Sequence, residues 1–202
     1  MATTPEAIVD CLFICRALED ITGGAGELEV VNLSYLGCLL AAYDGQPPSE
    51  WGYTFAATKS FAPFSFELAE AIERLRHSGL IEEDTDGFRL TPYGNSELTG
   101  LSSLRRFQGR LTYLRAACQS ATAIPLPLVT GSLAAEPQLY RALELSSLRP
   151  LLDEAGRHAL ISHFAALAHA VPDSSDLFVP AVVWLTYLGR QAEANPPGQI
   201  AS

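Results

Sequence analysis

The chain has 202 residues, enough for one large domain or for a smaller domain with helical extensions, and apolar residues make up nearly half of it. Thirteen basic residues stand against twenty-three acidic ones, the formal net charge is −10, and Lys59 is the single lysine. This balance argues against a nucleic-acid binder, which needs a basic face to neutralise phosphates. The apolar runs are too short or too interrupted to predict a membrane span.

Pro5–Ile21 is predicted to be a helix, with a proline tolerated at its start and Ile8, Leu12, Cys15 and Leu18 as its apolar stripe. Glu6 and Asp10 stand where a signal peptide would carry basic residues, so a cytoplasmic bacterial protein is expected. The four cysteines, Cys11, Cys15, Cys38 and Cys118, include no C-x-x-C pair and read as buried small apolar residues in a reducing compartment. Gly23-Gly24-Ala25-Gly26 lacks the Lys-Ser/Thr of a phosphate-cradling loop and reads as a plain connection. Val30–Tyr43 is a second helix, with Asn32 or Ser34 as its expected cap. Pro47, Pro48 and Gly52 mark a connector, and the alternation of Trp51, Tyr53 and Phe55 predicts a short extended segment or strand.

Residues 65–94 hold the clearest pattern. Leu68, Ala71, Ile72 and Leu75 recur at helical spacing behind Ser65, a good N-cap, and Gly79 is placed to end the helix in a left-handed conformation. Leu80 and Ile81 enter a strand, Asp84-Thr85-Asp86-Gly87 turns it, and Phe88–Thr91 returns. Leu68, Ile72, Leu75, Leu80, Phe88 and Leu90 are expected to share one core with Leu36 and Leu40.

Tyr93–Ala121 is predicted as one long helix. Its stripe of Leu98, Leu101, Leu104, Phe107, Leu111 and Leu114 suits an internal core or a dimer face, and Arg105, Arg106, Arg110 and Arg115 form the basic cluster of the chain. Ile124-Pro125-Leu126-Pro127-Leu128 is expected to be an extended linker and a soft boundary. Helices follow at Pro137–Leu148, Leu151–Ala170 and Pro180–Ala194, with a turn at Pro172–Ser175 and a frayed tail over 195–202. The last helix is apolar nearly all round, so it is either deeply buried or half of an interface.

No catalytic motif emerges. His158, His163 and His169 lie five and six residues apart, which does not put them on one helical face for metal binding. Glu82, Glu83, Asp84 and Asp86 form an acidic run on the hairpin, where a DNA-touching wing would meet phosphate. Glu67, Glu70 and Glu73 with Arg74 and Arg76 do not supply the side chains that read base edges.

Residues 53–98 resemble small bacterial winged-helix proteins whose core reads aromatic segment, P-x-S, helix, G-L-I, hairpin, L-T-x-x-G. The layout is similar to that of SocA-like (Panacea) antitoxin domains and of the middle components of bacterial ABC three-component defence systems, the Lamassu-like systems built around an SMC-type ATPase. The resemblance covers roughly residues 30–120 and carries over no catalytic residue. It implies contact with protein partners, among them an SMC-like ATPase and an effector.

The sequence therefore predicts a mainly α protein with a small β-hairpin: a winged helix plus a C-terminal helical extension. Residues 1–123 form the winged-helix domain with its N-terminal helix, and 124–202 the C-terminal helical region. The expected function is a non-catalytic interaction subunit of a multi-component complex, without cofactor or metal. A dimeric winged-helix transcriptional regulator and an antitoxin are the alternatives. Arg105, Arg106, Arg110, Phe178, Trp184 and Tyr187 are the candidate partner-binding residues, duplex DNA is expected to bind weakly or not at all, and no membrane association is expected.

Overall fold

In the computed structural model of the chain, residues 3–57, 62–144, 149–152, 154–171 and 176–194 are described. The expected turn at 172–175, the end of the helix predicted to reach Leu148, and the tail 195–202 lie outside them. The protein is mainly helical. Nine helices occur among the described residues: α1 Pro5–Thr22, α2 Glu27–Tyr43, α3 Phe66–His77, α4 Pro92–Ser103, α5 Arg105–Ala123, α6 Leu126–Ala134, α7 Pro137–Glu144, α8 Glu154–Ala170 and α9 Phe178–Ala194. Five short strands accompany them: β1 Ala56–Ala57, β2 Pro63–Phe64, β3 Ile81–Asp84, β4 Gly87–Leu90 and β5 Arg149–Pro150.

The middle of the fold is α2. Every residue from Val30 to Ala41 is buried, as expected for a helix apolar on all sides. It starts earlier than predicted, capped by Gly26, so Asn32 and Ser34 lie inside the helix and not at its end. α1 packs beside it, capped by Thr4, whose hydroxyl accepts from Ala7 N–H at 3.3 Å.

Two antiparallel ladders complete the first half. β3 and β4 pair with Ile81 opposite Leu90 and Asp84 opposite Gly87. This hairpin is tied to the α1–α2 connection by a bridge in which Ala25 and Phe88 exchange both backbone hydrogen bonds, at 2.8 and 3.1 Å. The close approach needs glycine on both sides. A Cβ at Gly24 would stand 2.9 Å from the Asp86 carbonyl oxygen, and Gly87 has φ 116°. The glycine run is thus a docking edge for the hairpin. The second ladder has the order β2-β1-β5 and joins the aromatic segment to the chain after α7. Its strands are two residues each. Trp51, Tyr53 and Phe55 lie just before it and are buried, and the Phe55 carbonyl extends the β1–β5 pairing by accepting from Leu151 N–H at 2.8 Å.

The predicted core is present. Leu36, Leu40, Leu68, Ile72, Leu75, Phe88 and Leu90 are buried in one cluster, and Leu80 packs against it half-buried. Two expectations after the hairpin need correction. The single long helix is two, because Leu104 takes an extended backbone (φ −74°, ψ 125°) after a run of glycine and serine that propagates helix poorly. The break re-aims α5 along α1 and α2, and Phe107, Leu111 and Leu114 become core while Leu104 stays exposed. The proline segment is not a linker. Pro127 sits in the first turn of α6, where its missing N–H would have had no partner anyway. α6 packs on α9 and α2, so the buried cluster runs without interruption from α1 to α9.

Candidate interaction surfaces

α3 and the hairpin adjoin on their exposed sides, where Arg76 of α3 meets Glu83 of the hairpin at 3.6 Å. Ser65 fixes the start of α3 by accepting from Leu68 N–H at 3.4 Å, and its hydroxyl donates to Glu67 at 3.1 Å. This leaves Phe66 61% exposed, edge-on to Phe64 at 4.7 Å. Glu70, Glu73, Arg74, Arg76 and His77 follow along the exposed side. At the C-terminal turn the His77 Nδ1 lies 2.8 Å from the Glu73 carbonyl oxygen, a place where positive charge is favoured.

Charge on this face is one-sided. Seven carboxylates (Glu67, Glu70, Glu73, Glu82, Glu83, Asp84 and Asp86) stand against Arg74, Arg76 and Arg89. Arg76 is engaged by Glu73 at 3.0 Å and Glu83 at 3.6 Å. Arg89 is held by Asp84 at 3.1 Å, by Asp86 at 3.0 Å and by the Gly23 carbonyl. The arginines organise the hairpin, and the excess negative charge faces solvent.

The predicted basic cluster is divided. Arg105 and Arg106 are exposed at the head of α5, with the Arg106 guanidinium 4.3 Å from the Phe107 ring. Arg110 turns inward. Its Nε and Nη2 donate to the two oxygens of Asp10 at 2.5 and 2.7 Å, and Nη1 donates to the Trp51 carbonyl at 2.6 Å. The guanidinium lies 3.7 Å from the Trp51 ring and 5.2 Å from that of Tyr53, whose hydroxyl donates to Asp10. Asp10 is fully buried. Its presence within an apolar stretch of α1 is the one sequence signal for this cluster. Beside the cluster a cleft of about 300 Å³ runs between α1, the 46–51 connector and α5, with Glu6, Glu50, Arg106 and Tyr113 on its walls.

Burial pushes the Asp10 carboxyl up from its ordinary range, while Arg110 and Tyr53 pull it back. Burial works to lower Arg110, but the Asp10 charge outweighs it and the guanidinium ends raised. These directions disagree about the pair, since a raised carboxyl favours the neutral form. The two parallel N–H bonds decide for the ionised pair, because a neutral carboxyl would leave one of them facing an O–H.

A second buried acid escaped sequence reading. Glu136 caps α7, accepting from Gln138 and Leu139 N–H at 3.0 Å each and from the Tyr35 hydroxyl at 3.1 Å. Burial pushes its carboxyl up to about 6 against those hydrogen bonds.

The three candidates on α9 separate by exposure. Trp184 is buried, edge-on to Phe164 at 5.5 Å; Phe178 is half-buried; Tyr187 is 46% exposed. Trp184 belongs to the core, and the opposite side of α9 is open.

All four cysteines are unpaired and buried, and burial pushes the Cys15 thiol up to about 12, away from reactive thiolate. Among the described residues there is no group of three metal-ligating side chains, and no helix is long and apolar enough to cross a membrane. No family model, curated protein or solved structure matches the chain.

Proposed function

We propose that this chain is a non-catalytic winged-helix interaction subunit of a bacterial multi-component complex, of the antiviral kind assembled around an SMC-type ATPase. The order α1, Ala25 bridge, α2, α3, β3, β4 supports this reading, in which α3 would serve as the recognition helix and the hairpin as the wing. One observation carries the functional reading. The face that a DNA-reading winged helix turns to phosphate here holds seven carboxylates against three arginines, two of which are already paired. A basic protein surface meets that face favourably and a DNA backbone does not. Phe66 adds an exposed aromatic of the type that anchors protein interfaces. The sequence resemblance of residues 53–98 supports the choice of partner class.

Affinity purification from the native host tests the proposal. Co-purification of an ATPase subunit is expected, together with loss of that subunit on Phe66→Asp. A companion titration of duplex DNA by fluorescence anisotropy should give no binding at moderate salt. The exposed pair Arg105 and Arg106 favours a regulator as the second reading. Tight, salt-sensitive binding of DNA by the protein alone would establish that reading in place of the first. Recovery of a toxin as the sole partner would make the chain an antitoxin.

A further inference from the structure

We infer that the open α8–α9 face is the seat of a second copy of this chain. From Ala159 to Val171, along α8, and from Leu177 to Gly189, along α9, there is no Asp, Glu, Lys or Arg. In a chain with 13 basic and 23 acidic residues this is a marked local depletion, and depletion of charge is the compositional signal of an interface core. The two helices form a mainly apolar groove of about 290 Å³, with Ser162, His163, Ala166 and Leu167 on one wall and Val183, Trp184 and Tyr187 on the other. They also project apolar side chains beside the groove: Val183 is 37% exposed and Tyr187 46%.

Charge, shape and size point to a second copy. Each copy carries −10, so two copies repel wherever acidic surface approaches acidic surface. The α8–α9 face is neutral, so it lets them touch without burying like charges. A different protein would be selected by charge complementarity, and this face has no charge to select with. The face also carries both a groove and projecting side chains able to fill one, which is what a two-fold contact requires, since the same patch must serve as both halves. The charge-free stretches, about 20 Å along each helix, present a surface about 20 by 20 Å, so pairing removes on the order of 800 Å² in total, the size of weak, transient contacts. The contact is therefore a modest, reversible one. It stands independently of the function proposed for the α3–hairpin face.

Sedimentation velocity of the full chain across about 1–100 µM tests it. The mass is expected to rise from 21.7 kDa towards twice that value with concentration. Added salt should tighten the association, because it screens the repulsion between acidic copies and leaves the apolar contact intact. Tyr187→Glu and Val183→Glu, both at exposed positions on the groove wall, should each weaken it at least tenfold with an unchanged far-ultraviolet circular dichroism spectrum. Tyr187→Cys should give a disulfide-linked dimer on oxidation, the native thiols being buried. A chain that stays at 21.7 kDa at every concentration overturns the inference. So does a dimer that salt weakens, or one that neither glutamate variant affects.

Discussion

At the scale of single residues, the two buried acids do opposite work. Asp10 is matched by a bidentate guanidinium and a tyrosine hydroxyl, and that guanidinium in turn lies against the Trp51 and Tyr53 rings. A buried pair of this kind adds little over an apolar substitute, but breaking it leaves an orphan charge, at about 3–5 kcal/mol. Arg110→Met should therefore lower the urea midpoint steeply, and Asp10→Leu added to it should restore part of the loss. A single variant within 1 kcal/mol of wild type, on the order of a surface substitution, would contradict the buried pair. Glu136 is held less completely, because its Oε1 finds no hydrogen-bond partner. Its folded value of about 6 lies above the ordinary 4.5. The stability it gives is therefore full below pH 4.5 and is lost as pH rises through about 6, a difference on the order of 2 kcal/mol. Glu136→Gln keeps the acceptor for Tyr35 and for the α7 N–H groups but cannot ionise. Relative to wild type, this variant should gain about 2 kcal/mol between pH 4.5 and pH 7 in denaturant titrations.

Among the elements, the L-T-x-x-G run after the hairpin shows how a short motif encodes a junction. Thr91 caps α4 by accepting from Gly94 N–H at 3.2 Å and donates its hydroxyl proton to the Gly79 carbonyl at 2.7 Å. A Cβ at Gly94 would overlap the Leu80 carbonyl oxygen, so only glycine lets α4 sit on the strand entry. Gly94→Ala should cost about 1–3 kcal/mol or more by overpacking, whereas Gly100→Ala, with open space around it, should be neutral or stabilising. Thermal melts of the two variants check the contrast. This part of the fold was legible because every cue is local: a cap, an apolar stripe at helical spacing, a turn. What was not legible depended on partners distant in sequence. Leu104 fits a helical stripe equally well whether the helix continues or breaks; the glycine and serine before it weaken the helix locally, but only the packing of α5 on α1 and α2 shows that the break is taken. Pro125 and Pro127 suit a linker or a helix start, and α9 decides for the helix. Arg110 looks like its exposed neighbours in a basic cluster until Asp10, a hundred residues earlier, is brought beside it. Of the candidate site, the acidic character of α3 and the hairpin could be read directly. The division of α9 into buried Trp184 and exposed Tyr187 could not, because the helix is apolar on both sides.

On the scale of the whole molecule, polarity is distributed unevenly over a continuous interior. The acidic α3–hairpin face and the uncharged α8–α9 face are built on different stretches of chain, yet one buried cluster underlies both. α6 is the joint. Its Val129 and Leu133 are buried, it packs on α9 and α2, and Thr130 accepts a hydrogen bond from the Asn32 side chain at 3.0 Å. Tyr35 on α2 reaches Glu136 at the start of α7, and β5 pairs with β1. Residues after 124 therefore cover α2 rather than hang from it. Two separable domains would unfold in two steps, whereas a shared core should open in one. Denaturant unfolding is expected to give a single transition with coincident tryptophan fluorescence and circular dichroism, since Trp51 lies in the first region and Trp184 in the second. A fragment ending at residue 123 would expose the apolar sides of α2 and α5 that α6 and α9 cover, and should aggregate or stay unfolded. A fragment that folds with native-like spectra, or a fluorescence transition that splits in two, would assign α1–α5 a core of their own.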